Sequence, residues 1–177
     1  MKTFDAIKGR RSIRSYKDRK IPREQLEKIM DAAIWSPSAS NAQAWKFIVV
    51  EGDDDIREIK TFSPGIFGNP AAIIIICRDL KRAYEICGEL GRDILSLMDI
   101  SMASQNIMLA GHALGIGSCA VRSFGISAIK RLYDMPEHIS PELLITLGYP
   151  EKITTPPKRR GIKEVVRWHN RQRSTRE

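Results

Sequence analysis

The chain has 177 residues, 42% hydrophobic and 28% charged, the composition of an ordinary folded domain large enough to bury a sizeable core. No apolar run approaches a membrane span, Met1-Lys2-Thr3-Phe4-Asp5 carries no apolar signal segment, and Cys77, Cys87 and Cys119 lack metal-type spacing, so they read as reduced thiols of a cytoplasmic protein. The net charge of +8 is concentrated at one end: from Lys158 onward eight Lys/Arg stand against two Glu, and the remaining body carries 21 basic and 19 acidic residues, which excludes a uniformly basic nucleic-acid-binding domain.

A short helix is expected over Thr3–Gly9, followed at once by Arg10-Arg11-Ser12-Ile13-Arg14-Ser15-Tyr16. Guanidinium groups grip phosphate oxygens at two points in one plane, and neighbouring amides and hydroxyls fill the remaining acceptor positions. Pro22 opens an amphipathic helix to about Trp35, with Leu26, Ile29, Met30 and Ala33 at helical spacing; Pro37 stops it. The loop Ser36-Pro37-Ser38-Ala39-Ser40-Asn41-Ala42-Gln43-Ala44-Trp45 is small and polar, so its backbone can approach a flat ligand, and it leads into a strand, Phe47–Val50. Asp53, Asp54 and Asp55 open a helix to about Phe62, where acids suit the positive helix end better than a catalytic carboxylate pair. Ser63–Asn69 reads as a broken loop able to act as a lid.

Ala71–Cys77 is a continuous β-branched run, the pattern of a central strand buried on both faces. A helix is expected from Leu80 to Gly91, then a long one from Ile94 to Leu114 that is apolar almost all round and therefore belongs in the core or at an oligomer interface. Gly115-Ile116-Gly117-Ser118-Cys119 ends that helix in glycines and enters a strand; because it follows a helix, it is not a dinucleotide fingerprint. Ile126–Tyr133 reads as a short helix and Leu143–Gly148 as a buried strand. Pro156-Pro157-Lys158-Arg159-Arg160 leads to Ile162–Trp168 and a polar basic end expected to fray.

Taken in order, Arg10-Arg11-Ser12-Ile13-Arg14, Pro37 through Trp45, Gly115 through Cys119, and Pro157-Lys158-Arg159-Arg160 resemble the nitroreductase family of FMN-dependent oxidoreductases over nearly the whole chain. The resemblance implies one domain over residues 1–177: an α+β fold with a mixed or antiparallel sheet of four or five strands flanked by helices, forming an intertwined homodimer with FMN at the subunit interface. It implies that Arg10, Ser12 and Arg14 hold the phosphate and ribityl chain together with Lys158 and Arg160, and that Arg11 contributes through its backbone. Pro37, Ser38, Ala39, Ser40 and Asn41, with Gln43 beside them, would meet the isoalloxazine from the partner subunit, and Gly117 and Ser118 from the ring's own side. Ser63 and Asn69 are loose candidates for further ring contacts.

Flavin N5 would carry the hydride, so no acid–base pair is required, in keeping with three histidines (His112, His138, His169) that have no placed partner. The implied reaction is ping-pong electron transfer from NADH or NADPH to a small electron-poor acceptor such as a nitroaromatic or a quinone. Another redox reaction on the same fold, or flavin or anion binding without turnover, are the rival readings. Nucleic-acid binding by the tail is disfavoured, because only Trp168 interleaves its basic residues. No membrane association is expected.

Overall fold

The computed structural model describes residues 1–169. The basic end expected to fray lies, from residue 170 on, outside the described residues. Strands β1 (Trp45–Val50), β2 (Ala72–Asp79), β3 (Gly117–Val121) and β4 (Ile139–Gly148) form one open antiparallel sheet in the order β1-β2-β4-β3. The expected α+β architecture is present, with four strands.

The run Ile73–Cys77 is completely buried at the centre of that sheet. Alternation along β2 divides it between two layers. Ile74 and Ile76 pack with Leu26 and Ile29 of helix α2 (Arg23–Ile34) and with Ile100 and Ile107 of helix α5 (Ser96–Ala113). Ile73 and Ile75 pack with Ile56 and Ile59 of helix α3 (Asp53–Thr61) and Ile129 of helix α6 (Ile126–Leu132). Each fully buried isoleucine contributes about 1.5–3 kcal/mol relative to exposure, so this strand anchors both layers.

Among the boundaries that differ from expectation, two have a local cause. Strand β4 begins at Ile139, not Leu143, because a bulge opposite Ile76 and Cys77 lets the chain pass Pro141 without breaking the pairing. The long helix expected from Ile94 begins instead at Ser96, after a widened π turn over Gly91–Leu95 that joins it to helix α4 (Leu80–Leu90). Gly88, with φ 62° and ψ −155°, makes the preceding kink in a conformation that side chains avoid. The inner face of α5 seats Ile100, Ala103 and Ile107 on the sheet, while Ile94 of the π turn and Leu97, Met98 and Met102 of the helix stand about half exposed.

Helix α1 (Thr3–Gly9) adds the exposed Phe4 and Ile7. Residues 151–169, including helix α7 (Ile162–Val165), form an arm that is exposed along its whole length. Among the described residues, no helix is long and apolar enough to cross a membrane.

The N-terminal segment is stitched to the sheet edge at Gly117, where an added Cβ would stand 2.6 Å from Ile13 Cγ1 and 2.8 Å from Ile13 Cβ. Gly117→Ala therefore overpacks this seam and should cost about 1–3 kcal/mol, read as a lower urea midpoint with an unchanged slope.

Candidate functional site

After α1 the chain turns along the free edge of β3. Ser12 bridges Ser118 in parallel, and the Ile13 amide donates to the Ser118 carbonyl at 2.9 Å. Tyr16 pins the other end of the segment: its buried hydroxyl lies 2.5 Å from the Ile13 carbonyl and 2.7 Å from Thr146 Oγ1 of β4. Arg10, Arg11, Ser12 and Arg14 are thereby gathered at one corner of the sheet with Gly117 and Ser118. Arg11 bends back on the chain, donating to the carbonyls of Lys8 at 2.6 Å and Arg10 at 2.8 Å.

No carboxylate among the described residues neutralises this corner. Among the described residues, Arg10, Arg11 and Arg14 form no salt bridge. The Nε atoms of Arg10 and Arg11 and the Oγ of Ser118 are buried without a hydrogen-bond partner. Burial, then the charges of Arg11 and Arg10, hold the imidazole of His112 below its ordinary pKa. Cys119 is buried, and burial pushes its thiol up, as for a packing residue rather than a reactive thiolate. Three guanidinium groups without a carboxylate partner among the described residues are chemically suited to a dianion of phosphate size.

The second half of the predicted site is the loop from Ser36 to Ala44. A single 3₁₀ turn over Ala39–Asn41 is followed by unusual backbone: Ser40, Asn41 and Gln43 all have φ near +50°. Non-glycine residues keep such conformations only where neighbours hold them. Here the Gln43 amide donates to Ser38 Oγ at 3.0 Å, and the Gln43 side-chain amide donates to Asn41 Oδ1 at 3.0 Å. From outside the loop, Asp99 of α5 accepts the Ala39 amide at 3.1 Å, and Arg82 of α4 donates to the Ala42 carbonyl at 2.5 Å. Pro37, Ser40, Asn41 and Gln43 are left facing outward, with Ser38 and Ala39 half-buried.

Within one chain these halves lie at diagonal corners. The loop enters β1, an edge strand, at the end where Trp45 faces Arg78 and Asp79 faces Ile139. The arginine corner lies on β3, the other edge, at the end where Gly117 faces Gly148. The separation is about 14 Å across three strand spacings and about 23 Å along β2. Helix α5 spans the same gap, with Asp99 at the loop and His112 at the arginines, about 20 Å apart at 1.5 Å per residue. Lys158 and Arg160 join neither half: both are exposed on the arm, and Arg160 Nε faces Glu164 Oε2 at 3.5 Å. Of the looser candidates, Ser63 is buried, and Asn69 accepts from Lys60 Nζ at 3.0 Å.

A family model described as the nitroreductase family matches residues 7–64 and 58–149. The chain belongs to the nitroreductase family. It is 39% identical over 157 residues to a Methanothermobacter thermautotrophicus protein provisionally named NADH dehydrogenase/NAD(P)H nitroreductase, covering 85% of this chain and 78% of that one. It is 24% identical over 168 residues to the FMN reductase (NADPH) of Bacillus subtilis, covering 86% and 67%. Among solved structures, an FMN-dependent nitroreductase of Clostridium difficile superposes with a TM-score of 0.80 at 26% identity, covering 95% of this chain and 99% of that one. Like its family, this nitroreductase-family chain is an oxidoreductase.

Asp99 and Arg82, which shape the loop, escaped the sequence reading. An aspartate in the first turn of a helix is ordinarily explained by the helix dipole alone, and neither residue stands near the loop in sequence. Asp99 is buried, and desolvation raises its pKa despite the Ala39 hydrogen bond. A carboxyl whose pKa is raised by folding stabilises the fold in its protonated form and loses that contribution as pH climbs through the folded value. Asp99→Asn keeps an acceptor for Ala39 and removes the charge, so its stability relative to the parent should improve from acid toward neutral pH in urea titrations. Asp99→Ala should instead cost about 1–3 kcal/mol by stranding the amide.

Proposed function

We propose that the protein binds FMN at the interface of a homodimer and passes electrons from NADH or NADPH to a small electron-poor acceptor, nitroaromatic or quinone, in the cytoplasm. The observation that carries this reading is the arginine corner, where three guanidinium groups form no salt bridge among the described residues. These residues fit a phosphate-bearing cofactor. Family membership and the FMN named for two relatives support the choice of flavin.

In this reading Arg10, Ser12 and Arg14 hold the phosphate and ribityl chain, and Arg11, its guanidinium turned onto the backbone, contributes through the main chain. Gly117 and Ser118 approach the ring from the same chain. Pro37, Ser38, Ala39, Ser40, Asn41 and Gln43 come from the other subunit, because the diagonal separation within one chain exceeds the reach of a single flavin. Two further features support a dimer: the half-exposed apolar face of Leu97, Met98 and Met102, and the arm with exposed Ile153, Ile162, Val165 and Trp168. The arm leaves the body at Pro150, which bridges Tyr16 beside the arginines, so Lys158 and Arg160 extend over the neighbouring subunit as part of the phosphate site.

When bound, FMN supplies the hydride-transferring centre. The protein's task is to orient and desolvate. The turn closes the Asn41 and Gln43 amides onto Ser38 and leaves the exposed side chains of Ser40, Asn41 and Gln43 to meet the ring edge, and Pro37 offers an apolar surface. No side chain has to exchange a proton with substrate. Donor and acceptor use the same open face in turn, a ping-pong order.

Freshly purified protein should be yellow and should bleach when NADH or NADPH is added without oxygen. Yellow protein that resists both donors would mean flavin binding without turnover, and protein that stays colourless after FMN is added would overturn the assignment. Arg10→Ala removes one charge-assisted contact and should weaken FMN binding by about 1.5–3 kcal/mol, measured by fluorescence titration.

A further inference from the structure

A second basic concavity opens beyond the arginine corner. It has a volume of about 400 Å³, in the range of small-molecule pockets, and none of Arg10, Ser12, Arg14, Gly117 or Ser118 lines it. Lys17, Arg19, Lys20, Arg57 and Lys60 surround it, with Asp18 and Asp53. Among the described residues, Lys17, Arg19, Lys20 and Lys60 have no carboxylate within 4.0 Å. Five basic residues around one hollow outnumber its two aspartates and repel each other, and an anion placed among them adds attractions that offset that repulsion.

Two of the cations are held in place. Arg19 lies over the Tyr149 ring at 4.0 Å, and Lys60 Nζ donates to the Gly68 carbonyl at 2.8 Å and to Asn69 Oδ1 at 3.0 Å. Next to the lining residue Asn69, Gly68 packs on the main chain of the arginine segment: an added Cβ on it would stand 2.6 Å from the Arg14 carbonyl. The floor is apolar, built from Tyr16, Ile56, Pro70 and Ala71, and the two carboxylates can accept from hydroxyl or amino groups.

We infer that this hollow is a binding site, separate from the flavin site, for a phosphorylated nucleoside. The cations take the phosphates, the apolar floor takes the flat ring, and Asp18 or Asp53 accepts from the sugar. The space is several times that of inorganic phosphate, and the basic arm is a poor occupant because Lys158 and Arg160 would add to the repulsion.

Calorimetric titration of ADP, with adenosine and pyrophosphate as fragments, into protein held in excess FMN tests this. ADP should bind once per chain and more tightly than either fragment. Lys17→Ala/Lys20→Ala changes only exposed side chains and should lower ADP affinity about tenfold or more, with FMN affinity unchanged. The site is disproved if ADP fails to bind, if the double variant binds it equally well, or if FMN displaces ADP one for one. The same titration repeated without added FMN reads ADP binding by itself, so failure of the flavin assignment leaves this result interpretable.

Discussion

The hydrogen bond from the Ile13 amide to the Ser118 carbonyl, 2.9 Å long, converts a linear run of arginines into a site. It lays residues 10–14 along the edge of β3 and brings Ser118 among the guanidinium groups. Gly117 permits the approach, and Tyr16, buried against Thr146, prevents the segment from peeling away. Gathering three arginines that form no salt bridge among the described residues costs electrostatic energy. The buried hydrophobic layers on both faces of β2 are what allow the fold to carry that cost.

A second constraint follows from topology. In a four-stranded sheet ordered β1-β2-β4-β3, the loop before β1 and the segment beside β3 stand at opposite edges and opposite ends. No local rearrangement joins them, since α5 packs rigidly between the two corners. In the homodimer proposed above, a second copy related by a two-fold axis would bring each loop to the other chain's arginines, giving two equivalent sites. The apolar outer face of α5 and the exposed arm are surfaces such an arrangement covers.

Much of this was legible in the residues. The β-branched run Ile73–Cys77 announced the central strand, and the all-round apolarity of Leu97, Met98, Ile100, Met102 and Ile107 announced a helix that seats one face on the sheet and leaves an apolar face half exposed. The motif around Arg10 and Ser12 carried the phosphate reading. What stayed hidden depends on tertiary geometry. Pro141 disguised the first half of β4 because a bulge, invisible to periodicity, accommodates it. Asp99 and Arg82 act on a loop distant in sequence. The hollow beyond Gly68 draws its cations from residues 17–20 and from α3, and those charges look like ordinary solvated surface until the fold makes them face one another.

Complementation between damaged subunits tests the shared site most directly. One subunit would carry Arg10→Ala/Arg14→Ala and the other Ser40→Ala/Asn41→Ala, co-expressed with different tags and purified as the mixed dimer. If each flavin is held by the arginines of one chain and the loop of the other, the mixed dimer has one undamaged site and one site damaged twice. It should bind FMN at one per dimer with parental affinity, where each homodimer binds weakly. A mixed dimer in which both sites remain weak would place arginines and loop in the same chain's site and contradict the account.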